Sequence, residues 1–141
     1  MKISETAERF SGTGCIVFSD GTHLIGEGFG FEGTQVGELC FNTAMTGYQE
    51  IVTDPSYSGQ IINFTFPHIG NTGANSGDNE SRSPAALGII TRNTPTAASS
   101  WRSELNFNLW LKEKKIIGIT NVDTRYLTRL ARSLMAPNIA I

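Results

Sequence analysis

The chain lacks any apolar run approaching the roughly 18 residues of a membrane-spanning helix. Its opening, Met1-Lys2-Ile3-Ser4-Glu5-Thr6-Ala7-Glu8-Arg9, is too polar for a secretory signal. It also lacks a basic excess: 11 Lys and Arg against 13 Asp and Glu give a net charge of −2. That argues against nucleic acid as the main partner, because phosphate binding needs a basic field. Cysteine is scarce, with only Cys15 and Cys40, and their spacing has no pattern, which fits a reducing cytosol. The two histidines, His23 and His68, cannot build a metal site alone, and no Cys or His pair has zinc-ligand spacing. Charged residues make up 17% against 39% hydrophobic, too apolar a balance for a disordered chain. A length of 141 residues suits one domain that buries roughly two-thirds of its unfolded surface without staples.

What is present is organised around residues 37–73, GELCFNTAMTGYQEIVTDPSYSGQIINFTFPHIGNTG. Leu39 and Phe41 alternate with Glu38, Cys40 and Asn42, the period-two signal of a strand. Ile62, Phe64 and Phe66 alternate with Ile61, Asn63 and Thr65 in a second strand. Between them lies Asp54-Pro55-Ser56-Tyr57-Ser58-Gly59. Pro55 fixes its own φ and pushes Asp54 out of the helical region. Asp54, Ser56 and Ser58 can hydrogen-bond local backbone, and Gly59 can take a positive φ without steric cost. Such a connection holds side chains at defined places.

Along the rest of the chain, residues 1–11 read as a loose polar segment and residues 12–141 as the domain. Cys15–Phe18 and His23–Phe29 form a hairpin through Asp20-Gly21. Residues 71–84 read as a polar surface loop, and Ala85–Thr91 as another strand. A helix is expected to start near Ser103 as its cap, with Phe107, Trp110 and Leu111 facing inward. Ile116–Ile119 is a short buried strand. A last helix begins at Asp123, with Leu127, Leu130, Ala131 and Leu134 as its inward face, and stops at Met135-Ala136-Pro137. Asn138–Ile141 reads as one more strand. An ending inside an apolar strand suggests a piece of a longer protein, with an exposed strand edge. The order of elements alone suggests α/β or α+β.

Candidate chemistry is sparse. Cys40 in Leu39-Cys40-Phe41 and Cys15 in Gly14-Cys15-Ile16-Val17 have apolar neighbours that raise a thiol pKa, so both read as packed structural cysteines. His68 reads as a hydrogen-bonding turn residue. Gly28-Phe29-Gly30-Phe31-Glu32-Gly33 matches a dinucleotide-binding pattern, with Asp54 near the place of a ribose-binding acid. The segment that follows is strand-like and offers no helix N-terminus for a pyrophosphate, so the match is rejected. Arg125, Arg129 and Arg132 form a stripe on the last helix, either a solvated face or a contact with an acidic protein surface.

Asn42-Thr43-Ala44-Met45-Thr46-Gly47-Tyr48-Gln49-Glu50, Thr53-Asp54-Pro55-Ser56-Tyr57 and Phe66-Pro67-His68-Ile69-Gly70-Asn71 together resemble the N-terminal domain of the small chain of glutamine-dependent carbamoyl phosphate synthetase. Gly88-Ile89-Ile90-Thr91-Arg92 and Val122-Asp123-Thr124-Arg125-Tyr126-Leu127-Thr128-Arg129-Leu130 extend the resemblance, which spans roughly residues 14–135. Several ordered motifs at matching separations are far more specific than one short pattern. The resemblance implies an α/β fold, a three-layer β/β/α sandwich of the swivelling type with mixed sheets and helices on one side. It implies a cytoplasmic enzyme that makes carbamoyl phosphate from glutamine, bicarbonate and ATP for arginine and pyrimidine synthesis.

In that family the glutaminase, with its nucleophilic cysteine in a Gly-x-Cys-x-Gly elbow, is a separate downstream domain. Neither Cys15 nor Cys40 has that context, so no catalytic residue is assigned here and this chain alone is expected to be inactive. ATP and metal ions belong to the large chain, leaving no cofactor on this one. The implied partners are the large chain, the downstream glutaminase domain and glutamine, with no nucleic acid and no membrane. Ser56 is the one position where the family implies contact with glutamine, and the resemblance favours a partner interface at Arg125, Arg129 and Arg132. A stand-alone binding module that has lost its glutaminase is the alternative.

Overall fold

The computed structural model describes residues 12–66, 85–93 and 106–141. Residues 1–11, the loop expected at 71–84, His68 and Ser103 lie outside the described residues. The strands are β1 (Gly14–Phe18), β2 (His23–Gly30), β3 (Val36–Asn42), β4 (Gln60–Phe64), β5 (Gly88–Ile90), β6 (Ile117–Thr120) and β7 (Asn138–Ala140). Helix α1 spans Tyr48–Thr53, α2 Phe107–Glu113 and α3 Thr124–Ser133, and a 3-10 turn covers Pro55–Tyr57.

The strands close into one mixed barrel in the order β1-β2-β6-β5-β4-β3-β7. β3, β4, β5 and β6 run parallel. β7 pairs antiparallel with both β1 and β3. The edge expected at the last strand is therefore paired on both sides, because β7 fills the gap between β1 and β3, both far from it in sequence.

Alternation along the strands sorts the core into two clusters. Ile16, Phe18, Leu39, Ile61, Ile90, Ile117, Ile119 and Ile139, with partly buried Leu24, form one cluster to which all seven strands contribute. Only the barrel interior can collect side chains from every strand. The other cluster joins Ile62, Phe64 and Ile89 on the outer face to Tyr48 and Val52 of α1 and to Phe107, Trp110 and Leu111 of α2. β4 is buried on both faces, so its buried apolar side chains, Ile61, Ile62 and Phe64, each contribute about 1.5–3 kcal/mol.

The helices do not all lie on one side. α1 and α2 cover the outer face, whereas Leu127 and Ala131 of α3 pack into the interior cluster. Asp123 caps α3 as expected, its carboxylate accepting from the Tyr126 N–H at 3.0 Å. Leu130 packs against the interior, but Leu134 is 51% exposed, because α3 ends at Ser133 and Leu134 is its C-cap, outside the last helical turn. The cap of α2 is Asn106, whose side chain accepts from the Asn108 N–H at 2.9 Å.

Helix α1 is absent from the sequence expectation. It has six residues, and its N-cap Gly47 supplies no side-chain hydrogen bond, so no capping signal marks it. It is held from outside: Tyr48 meets Phe64 edge-on with centroids 5.8 Å apart, and its hydroxyl donates to the Met45 carbonyl.

Candidate functional site

The connection from β3 to β4 builds the turn that carries Ser56. Asp54 is extended (φ −68°, ψ 121°), as Pro55 requires of its predecessor. Its carboxylate accepts from the Ser56 N–H at 2.9 Å. The Tyr57 N–H donates to the Asp54 carbonyl at 3.0 Å and the Ser58 N–H to that of Pro55 at 3.1 Å. Gly59, at φ +77°, returns the chain to β4. The Ser56 side chain stands exposed on this bonded frame.

The frame leaves an electrostatic mark. Hydrogen bonds from the Ser56 N–H, and then from its side chain, hold the Asp54 carboxyl below the usual carboxylate range. The folded-state value is the lower one, so this contribution is complete above the ordinary carboxylate value. It is lost as the pH falls through the lowered value.

Beside the turn lies an anchor to which the sequence reading gave no role. Asn42, the last residue of β3, donates from Nδ2 to the Tyr57 hydroxyl oxygen at 2.8 Å. Its Oδ1 accepts from the Ala44 N–H at 2.7 Å. The local half of this arrangement is an Asx-type bond that an Asn two residues before a loop amide can signal. The bond to Tyr57 crosses 15 residues and has no sequence signal.

The three arginines share an exposed face of α3. The Arg132 guanidinium lies 4.9 Å from the centre of the Phe41 ring, a cation–π contact that occupies it. Among the described residues neither Arg125 nor Arg129 makes an ion pair. Ser56 and the arginines lie on separate elements.

The cysteines are poor nucleophiles. Burial, and then the Glu38 charge, push the Cys40 thiol up to about 11. Burial also raises Cys15. A raised pKa keeps a thiol protonated and unreactive at neutral pH. His23 Nδ1 lies 3.3 Å from the Gly21 carbonyl in the first hairpin. Among the described residues no group of three or more His, Cys, Asp or Glu could hold a metal ion.

The glycine motif has the context that sequence reading assigned it. Gly28 and Gly30 belong to β2, and the next element is β3, a strand. An open cleft of about 1140 Å³ is lined by these glycines, Phe31, Asn108 and Lys112. Neither Ser56 nor any arginine of α3 lines it. Among the described residues no helix is long and apolar enough to cross a membrane.

Residues 16–141 match the family described as "Carbamoyl-phosphate synthase small chain, CPSase domain". The carbamoyl phosphate synthase small chain of Ruegeria pomeroyi is 54% identical over 129 residues, 92% of this chain and 33% of that protein. The small chain of Zymomonas mobilis is 55% identical over 126 residues, 89% of this chain and 34% of that protein. That of Synechocystis is 53% identical over 123 residues, 87% of this chain and 32% of that protein. The chain thus spans about a third of the length of the curated relatives it matches. With the match running from β1 through β7, the chain belongs to the carbamoyl phosphate synthase small chain family, by its CPSase domain.

Proposed function

We propose that this chain is the docking and positioning domain of a glutamine-hydrolysing small chain, which supplies ammonia to a large chain for carbamoyl phosphate synthesis. Glutamine hydrolysis belongs to a downstream glutaminase domain, and ATP and metal belong to the large chain. This domain alone is inactive, consistent with two thiols raised in pKa; glutamate release by the isolated chain would overturn that. The setting is cytoplasmic, in arginine and pyrimidine biosynthesis. The finer architecture is part of the same reading. The two packed halves of the closed sheet supply two β layers, and α1 and α2 on the outer face supply the third, a three-layer β/β/α sandwich of the swivelling type.

The observation that carries the reading is the family match joined to a turn already bonded into shape around an exposed Ser56. A hydroxyl can donate and accept, so Ser56 can meet the ammonium or the carboxylate of free glutamine. Ser56→Ala in the full-length enzyme is expected to remove one hydrogen bond, net about 0.5–1.5 kcal/mol, or up to about 3 to a charged group. Glutamine KM then rises roughly 2- to 150-fold, with kcat much less affected. Ammonia-dependent synthesis stays unchanged, because it bypasses glutamine. An unchanged glutamine KM would remove Ser56 from the site.

The arginine face of α3 is the proposed contact with the large chain. With Arg132 occupied by Phe41, Arg125 and Arg129 remain to meet acidic groups. Arg129→Glu replaces attraction by repulsion at an interface, at a cost of several kcal/mol. On a solvated face the same change costs less than about 0.5 kcal/mol. Sedimentation of the mixed chains decides: full assembly with Arg129→Glu would return the stripe to a solvated face.

A further inference from the structure

We propose that Asn42 is a positioning residue for Ser56, acting through the hydroxyl of Tyr57. The inference rests on the reading of Ser56 as a glutamine contact.

Asn42 stands where three segments meet. Its carbonyl accepts from the Thr65 N–H at 3.0 Å and from the Thr65 hydroxyl at 3.2 Å, tying the ends of β3 and β4 together. Its side-chain oxygen accepts from Ala44 on the way to α1. Its side-chain nitrogen holds Tyr57, the residue directly after Ser56.

Chemistry fixes the direction of these bonds. The Ala44 N–H can only donate, so the amide oxygen of Asn42 must face it. The amide nitrogen is then the group that faces Tyr57, and the phenol oxygen accepts. The two bonds turn the Asn42 amide into a rigid bridge from the end of β3 to the turn. Backbone bonds close the turn on itself through Asp54 and Pro55 and hold its two ends, the Asp54 N–H on the Ile51 carbonyl at 3.2 Å and the Glu38 N–H on the Gly59 carbonyl at 3.3 Å. The Asn42–Tyr57 bond adds a side-chain tie from the end of β3 to the middle of the turn, with Tyr57 packed against the outer cluster. A hydroxyl that meets substrate loses much of its effect when misplaced by about 1 Å.

Tyr57→Phe keeps the ring and removes only the acceptor. In the full-length small chain assembled with its large chain, it is expected to raise glutamine KM about 3- to 10-fold. Ammonia-dependent synthesis and the midpoint of thermal unfolding should change little. Asn42→Ala is expected to raise KM at least as much, and to add no further rise when combined with Tyr57→Phe beyond the Ala44 contribution. Asn42→Asp keeps the acceptor for Ala44 and can accept the phenol proton instead, so it should restore KM close to the parent value.

Ser56→Ala, measured alongside, separates the two possible failures. A raised KM for Ser56→Ala with an unchanged KM for Tyr57→Phe overturns the positioning role and leaves the site reading standing. An unchanged KM for Ser56→Ala sinks the site reading, and the positioning role with it. Loss of ammonia-dependent activity in Tyr57→Phe would show damage to structure or assembly and overturn the inference as well.

Discussion

Gly30→Ala is expected to destabilise the fold by roughly 2–5 kcal/mol. Two costs combine at this position. Gly30 sits at φ +69°, where an L side chain costs about 1–2 kcal/mol. An added Cβ would also stand 2.6 Å from the Ile116 carbonyl oxygen and 3.2 Å from Leu111 Cβ. Backbone cannot yield as a side-chain tip can, and forced overpacking costs typically about 1–3 kcal/mol. The strain spreads, because the Gly30 N–H donates to Asn108 Oδ1 at 2.7 Å and the Phe31 N–H to Ile116 at 3.0 Å. These bonds hold the end of β2 against α2 and the entry to β6. Thermal unfolding should shift down by roughly 10–20 °C. Gly59→Ala is the control. Its φ is +77° with nothing within 4 Å of the added Cβ, so it carries strain alone, about 1–2 kcal/mol. Equal losses for the two variants would show that the close approach at Gly30 is not costly.

The second large effect is expected at Asn63. This residue is fully buried on the interior face of β4, sharing that face with Ile61. Its Nδ2 donates to the Thr124 carbonyl at 2.9 Å and to the Thr128 hydroxyl at 3.1 Å. Asn63 thereby ties β4 to the first turn of α3. Among the described residues its Oδ1 has no hydrogen-bond partner, so the site already carries one unsatisfied acceptor. Asn63→Asp exchanges the donor for a second acceptor facing a carbonyl. Burying an uncompensated charge costs roughly 3–5 kcal/mol.

The pH dependence identifies the cause. Desolvation raises the folded-state pKa of the introduced carboxyl above its unfolded value. At about pH 4 the acid is protonated in the folded state and about half ionised in the unfolded chain, so the loss is near its smallest there. Above that the penalty grows by roughly 1.4 kcal/mol per pH unit until the folded pKa is passed. Denaturant unfolding of Asn63→Asp and Asn63→Leu at pH 4 and pH 7 tests this. Asn63→Leu removes the orphan acceptor with the donor, so its loss should be smaller and independent of pH. A loss in Asn63→Asp that does not change with pH would mean that shape, not charge, decides at this position.

Much of the local structure follows from short-range chemistry. Asp20-Gly21 closes the first hairpin, with the Thr22 N–H on Asp20 Oδ1 at 2.8 Å. Pro55 sets Asp54, and Gly59 takes its positive φ. Asp123 starts α3 through its own carboxylate. Leu39 and Phe41 face the barrel interior while Cys40 joins the outer cluster, as strict alternation demands. In each case the cause lies within a few residues of the effect. The turn under Ser56 and the arginine stripe were legible to the same degree, because the turn is local and the stripe is a period of one helix.

The amino-acid sequence by itself determined the turns, the cap of α3, the family through its ordered motifs and the place of each strand, though β4 stops at Phe64, short of Phe66, and β5 covers only Gly88–Ile90 of the expected Ala85–Thr91. Tertiary structure alone decided the closure of the sheet, the division of the helices between two cores and the clamp on the Ser56 turn. Alternation tells that a face is buried but not which strand lies beside it. β7 meets β1 across more than a hundred residues of chain, and Val17 opposite Ala140 is set by the whole barrel. Six-residue α1 exists because Tyr48 and Val52 find the outer core, not because its own residues nucleate a helix. Asn42 reaches Tyr57 only because β3 and the turn fold back on each other. Leu134 belongs by period to the buried face of α3, yet it is exposed because the helix stops at Ser133 and Leu134 is its C-cap.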